Sequence, residues 1–200
     1  MAGKRAETLY VMMLLVQEYT LQRAFDQLTD DELHWEPHPG AWGIRSRDES
    51  STPTPLGGPD GQWVADFDKK LAAQADKGRA VEPMTTIGWL LSHIASAPGR
   101  LADLDVLGGP DASSATGAWD RMWSNKIFYG ADAGIAEFRT GWSGLAARLR
   151  DTTDEMLEAE YKIGRSVIGG TQVVATVINE VSHHATQICM LRDWYRQPTM

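Results

Sequence analysis

The stretch that decides the fold runs from Ile178 to Arg196 and reads INEVSHHATQICMLRDWYR. Its apolar residues recur at helical spacing, which predicts the last helix of the chain. Glu180 and His184 lie four residues apart in it, so their side chains project in nearly the same direction. A buried carboxylate beside a buried imidazole is costly unless the two are paired or bind a metal.

A helical wheel places these two residues on an apolar face. With Glu180 as the reference, the residues within about 60° of it are Val173, Val177, His184, Gln187 and Leu191. His183 lies about 60° to the other side, so it can approach the same cavity. Cys189 falls on the opposite side with Ser182, Ala185, Thr186 and Asp193. We therefore expect Cys189 to pack away from the site and not to act as a nucleophile.

A second helix, TIGWLLSHIASAPGRLADLDVL, repeats the pattern. Here His93 shares a face with Thr86, Trp89, Leu90, Ala97 and Leu104. If the two helices are neighbours, His93, Glu180 and His184 would form a metal site with three protein ligands and open positions. The alternatives are a hydrogen-bonded core histidine and a simple ion pair between i and i+4. His34 and His38 lie in a proline-rich turn, where a surface role is expected.

The rest of the chain predicts more helices and long loops. A first helix is expected from Lys4 to Gln27, and a short helix follows Thr29, which forms a capping box with Glu32. Pro98 should divide the second long helix near Ala97. A third begins near Asp132, its expected cap.

No convincing period-2 strand is found, so the prediction is an all-α protein, a single domain over residues 1–200 with four long helices in a bundle. The loop of residues 46–62 is rich in Ser, Thr, Pro and Gly, and a loop of that length is usually functional or mobile.

Composition excludes several classes of protein. The chain has 200 residues and a net charge of -8 without a dense Lys/Arg run, so no nucleic-acid partner is expected. No apolar stretch reaches the roughly 20 residues needed to span a bilayer, so no membrane association is expected. The single cysteine excludes an internal disulfide and indicates a cytoplasmic protein.

Three segments resemble the DinB-like (YfiT-like) family of metal-binding bacterial proteins: LHWEPHPGAWGIR, TTIGWLLSHIA and INEVSHHATQICMLRDWYR. The resemblance implies an up-down-down-up four-helix bundle with long connecting loops, often dimeric, so a homodimer is one expectation. It also implies a metal held by His93 and by two ligands on the last helix, Glu180 and His184. Glu180 stands where the family usually has histidine, which leaves zinc, nickel and iron open. Gln187 continues the family pattern, and His183, Gln187 and Trp89 are expected behind the ligands or on the pocket wall.

The implied activity is that of a metal-dependent enzyme acting on a small molecule. Some relatives are transferases or isomerases that use a low-molecular-weight thiol, whose pKa a metal depresses. The alternatives are a metal-dependent hydrolase and a non-catalytic metal-binding or small-molecule-binding stress protein. Arg100, Arg121 and Arg192 are candidates to contact an anionic thiol, although each is equally explained as a surface charge.

Overall fold

Helices predominate in this computed structural model, which describes residues 3–58, 60–103, 126–163 and 166–197. The helices are α1 (Lys4–Val16), α2 (Gln22–Phe25), α3 (Asp30–His34), α4 (Lys69–Ala75), α5 (Ile87–Ala95), α6 (Ala97–Asp103), α7 (Ala131–Asp151), α8 (Asp154–Glu158) and α9 (Gly170–Tyr195). The all-α class is therefore borne out in its main feature. The up-down-down-up order of the bundle stays a prediction.

The first helix is continuous but not uniform. A π-helical turn, Gln17–Leu21, joins α1 to α2, so the chain is helical from Lys4 to Phe25, close to the predicted end at Gln27. The predicted capping box follows: the Glu32 N–H donates to Thr29 Oγ1 at 3.2 Å, and the Thr29 N–H donates to Glu32 Oε2 at 3.2 Å. This reciprocal pair satisfies two free N–H groups and starts α3 where the sequence indicates.

Pro98 has the predicted effect on the second long helix. The helix is divided into α5 and α6, with the break at Ser96, two residues before the proline. Thr86 is the N-cap of α5, and its Oγ1 accepts a hydrogen bond from the Trp89 N–H at 3.2 Å. This cap fixes where α5 begins.

The predicted cap of the third long helix is wrong. The N-cap of α7 is Gly130, which makes no side-chain cap bond, and Asp132 lies in the first turn. The missing acceptor comes from another helix, because Asp30 Oδ1 accepts from the Ala131 N–H at 2.8 Å. A partner 101 residues away in sequence cannot be identified from local capping patterns.

The sequence has no convincing period-2 pattern, but the part of the chain that the structure describes contains four short strands. β1 (Ile44–Ser46) pairs antiparallel with β2 (Trp63–Ala65), and β3 (Glu160–Ile163) pairs antiparallel with β4 (Ser166–Gly169). Strands of three or four residues are too short to produce a detectable alternating pattern. The first pair brackets the loop of residues 46–62 and holds its two ends together.

The long helices share a hydrophobic core. α9 packs against both α1 and α5, and α7 packs against the same two helices on the other side. The core residues include Met13, Leu91, Phe138, Leu145 and Val181, each about 1% exposed or less. Among the described residues, no helix has the length and apolarity required to cross a membrane.

Arg192 occupies a position that helical periodicity did not predict. Its side chain is 3% exposed and pairs with the equally buried Glu32, with 3.2 Å between Nε and Oε1. The guanidinium also donates to the backbone carbonyls of Arg23, Ala24 and Asp26. Arg192 is therefore neither a surface charge nor available to an anionic thiol, and it fixes the end of α9 against α2 and α3.

Candidate metal centre

Three side chains from two helices converge at the contact between α5 and α9. His93 comes from the last turn of α5, and Glu180 and His184 come from the middle of α9. One potential ligand atom of each lies within 4.8 Å of those of the other two. The structure thus brings together the three residues that the sequence selects. Among the described residues, these three form the group of His, Cys, Asp or Glu side chains that is close enough to hold a metal ion.

Glu180 and His184 face each other along α9. The distance from His184 Nε2 to Glu180 Oε2 is 3.3 Å, and the two side chains are 14% and 35% exposed respectively. The pair therefore lies at the margin of the core and not inside it. Since α9 packs against helices on two sides, its buried surface is wider than one wheel face, and it includes Ala185 and Cys189.

Gln187 sets the orientation of the His184 ring. The Nδ1–H of His184 donates to Gln187 Oε1 at 2.7 Å. With the proton held on Nδ1, the lone pair of Nε2 points to the side where Glu180 and His93 lie. A hydrogen bond from the far ring nitrogen is the usual companion of a metal-binding histidine.

Both histidines are held neutral. Burial, together with the smaller effect of the nearby His184, lowers the pKa of His93 to about 4. Burial also lowers the pKa of His184, against the opposing effects of Gln187 and Glu180. Neutral imidazoles keep a free lone pair at pH 7, which is the form that binds a metal.

The donor set fits a divalent transition metal, and one of its separations has the value that such an ion requires. Two ligands about 2.1 Å from a tetrahedral ion lie about 3.4 Å apart, and the separation of His184 Nε2 from Glu180 Oε2 is 3.3 Å. Two imidazole nitrogens and a carboxylate oxygen suit zinc, nickel or iron. His93, Glu180 and His184 would hold the ion, and Gln187 would orient one ligand.

Trp89 connects the cluster to the segment after the first hairpin. Its ring stacks on His93 with centroids 5.4 Å apart, and its Nε1–H donates to the Asp66 carbonyl at 2.8 Å. The Asp66 carboxylate is itself buried and accepts from Arg45 Nε at 2.7 Å and Ser50 Oγ at 2.9 Å. Asp66 was not identified from the sequence, because its partners lie 16 to 23 residues away.

A cavity of about 510 Å³ adjoins the cluster. His184 and Gln187 lie on its wall, together with the exposed His183 and the half-buried Trp89. The other lining residues are Trp42, Glu82, Pro83, Met84, Thr85, Leu90, Met190, Leu191 and Trp194. One edge of the ligand cluster therefore opens into a space large enough for a small molecule.

The remaining predicted residues lie elsewhere. Arg100 lines a separate cavity beside Gly141 and Glu137, and Arg121 lies outside the described residues. His34 Nε2 is 2.7 Å from the Tyr129 carbonyl. Cys189 is buried, its Sγ lies 3.7 Å from the Thr20 carbonyl, and burial raises the pKa of the thiol.

The family model of the DinB superfamily matches residues 13–188. No curated protein matches the chain, and no solved structure matches it. The matched range contains all three residues of the cluster and Gln187.

Proposed function

We propose that this chain, which belongs to the DinB superfamily, is a metal-dependent enzyme. His93, Glu180 and His184 would bind the metal, and the adjoining cavity would bind the substrate. The observation that carries the proposal is the convergence of these three ligand atoms within 4.8 Å at the edge of the cavity.

The position of the cluster favours catalysis over a purely structural metal. Structural zinc sites are usually closed by four protein ligands, whereas catalytic sites keep a position open. Here the described residues supply three ligands, and His184 lies on the wall of a cavity of about 510 Å³. A small molecule in the cavity would therefore have access to the cluster.

Each polar residue near the cluster has a distinct proposed role. When bound, the metal would act as a Lewis acid and lower the pKa of a coordinated thiol or water. His93 and His184 supply neutral nitrogens, and Gln187 keeps the His184 proton on Nδ1. His183 is exposed on the cavity wall, with its ring 5.0 Å from that of His184, and would be a candidate to exchange a proton with a substrate.

Among reactions, thiol-dependent transfer or isomerisation is placed ahead of hydrolysis. The cavity is wide and mostly lined by apolar side chains. Such a lining suits an organic thiol together with an electrophile better than a site that only has to admit water. Hydrolysis remains the second candidate, since the same three ligands suit both reactions.

Metal binding is tested first. Protein purified without chelator or metal-affinity resin should contain about one divalent transition metal per chain by elemental analysis. If no metal is present, and added zinc, nickel and iron produce no thermal shift, the proposal is wrong.

Turnover is tested next with metal-loaded protein and a panel of bacterial thiols and electrophiles. Activity should require the metal, disappear in His184→Ala and survive in Cys189→Ser, because the Cys189 thiol is buried against Thr20. A large loss in a well-folded Cys189→Ser variant would instead indicate a cysteine nucleophile. A metal-loaded protein that turns over no thiol, ester or amide substrate would favour a non-catalytic binding protein.

A further inference from the structure

The cavity beside the cluster has aromatic walls. Trp42 and Trp89 stack with centroids 6.2 Å apart and an angle of 28° between the rings, and both line the cavity. Trp194 lines it from α9, and Met84 and Met190 add thioether surface. Indole rings and flexible thioethers bind flat apolar groups by aromatic and sulfur–aromatic contact.

The charges on these walls exclude one class of ligand. The described lining residues contain no lysine and no arginine, and Glu82 is the one carboxylate among them. Arg192 belongs to the same helix as Trp194, but its guanidinium is turned inward onto Glu32. Away from the metal, a negatively charged group in the aromatic part of the cavity would therefore lose hydration without gaining a lysine or arginine partner among the described lining residues.

We propose that the aromatic part of the cavity binds a flat apolar ring system that carries no negative charge, as the organic portion of the substrate. This inference rests on the proposed function, in which the reacting group of that substrate meets the metal at His184. It narrows the substrate class to aromatic or heteroaromatic compounds that are neutral or cationic. The volume of about 510 Å³ lies within the range of about 300–1,000 Å³ usual for small-molecule sites.

Two probes that share a naphthalene ring and differ in charge test the inference. Naphthylmethanol is neutral, and naphthalene sulfonate is anionic and a weak metal ligand. Isothermal titration of the metal-loaded protein should give binding of the neutral probe that is at least about tenfold tighter than that of the sulfonate. Equal binding of the two probes, or tighter binding of the sulfonate, overturns the inference.

A matched pair of variants locates the binding surface. Trp194 and Tyr195 both pack edge-on against Trp35, with centroids 6.0 and 5.7 Å apart respectively, but only Trp194 lines the cavity. Trp194→Leu should weaken the neutral probe by about tenfold, and Tyr195→Leu should leave it unchanged. An equal loss in both variants would mean that the probe binds outside the cavity.

A gain of binding gives a second, independent readout. Met190 is 66% exposed on the cavity wall, so a lysine there should be tolerated by the fold. Met190→Lys should raise the affinity for the sulfonate, while Met12→Lys, at a site 43% exposed on α1, should not. No gain in Met190→Lys, or the same gain in both variants, counts against the inference.

Metal content measured in the same samples separates the two proposals. If the metal-loaded protein binds neither probe, this inference is wrong and the proposed function stands. If the protein contains no metal but still binds the neutral probe through Trp194, the proposed function is wrong and the aromatic site stands.

Discussion

His184 and Gln187 form a hydrogen bond of 2.7 Å from Nδ1 to Oε1, one turn apart on α9. The bond leaves His184 Nε2 directed toward Glu180, 3.3 Å away. Gln187 therefore holds both the tautomer and the ring orientation of a proposed ligand.

Gln187→Leu should lower the affinity for zinc by about 10–100-fold, because the His184 ring loses the partner that orients it. Gln187→Glu keeps an acceptor and should retain most of the affinity. Competition with a chromophoric chelator measures both. Gln172→Leu, an exposed position on the same helix, is the control. If Gln187→Leu binds zinc as tightly as the wild type, Gln187 does not have the proposed role of orienting His184.

Of the adjacent histidines, His184 should be the ligand and His183 should not. The His184 side chain is 14% exposed and lies in the cluster, whereas His183 is exposed on the cavity wall. His184→Ala should lose most of the metal and His183→Ala should retain it. The test is the metal content of each variant, measured after circular dichroism has shown a wild-type fold. Loss of metal in His183→Ala but not in His184→Ala would mean that Glu180 is not a ligand either.

The metal-free protein should lose stability in mild acid because of His93. The pKa of His93 is about 4 when folded, against 6.5 for the free side chain, so between these values the unfolded chain binds more protons. The free energy of unfolding should therefore be highest above about pH 6.5 and fall by on the order of 3 kcal/mol as the pH drops to about 4. His184, which faces His93, adds an effect of the same sign because burial lowers its pKa too.

Urea unfolding in chelator near neutral pH and near pH 4.5 measures this loss. His93→Gln should reduce the difference between the two conditions, and His38→Gln, an exposed residue of the proline-rich turn, should not. If His93→Gln loses as much stability between the two pH values as the wild type, other groups cause the acid sensitivity.

Arg192→Met should destabilise the fold by about 3 kcal/mol, because the buried Glu32 would keep only the half-exposed Arg196 as a guanidinium partner and three backbone carbonyls would lose their donor. Combining Arg192→Met with Glu32→Leu should recover part of this loss, since no buried charge remains unpaired. Chemical denaturation measures both. Arg23→Met breaks the exposed pair with Asp193 and should hardly change the midpoint. A double variant less stable than Arg192→Met would contradict this account.

The sequence by itself determined the helices and the identity of the candidate ligands. Periodicity, the Thr29–Glu32 capping box and the break before Pro98 are local properties, and the structure has all three. The proximity of Glu180 and His184 is also local, because residues four apart on a helix are neighbours whatever surrounds them. The choice of His93 required the further assumption that α5 and α9 are neighbours, which they are.

Tertiary structure alone decided how these residues are used. Wheel geometry assumes one buried face, but α9 is packed on two sides, so Cys189 and Arg192 are buried and the candidate ligand cluster lies at the margin of the core. The pairing of β1 with β2, the Asp30 cap of α7 and the Asp66 support of Trp89 all depend on partners distant in sequence. Such pairings depend on which chain segments meet in space, and local spacing carries no information about that.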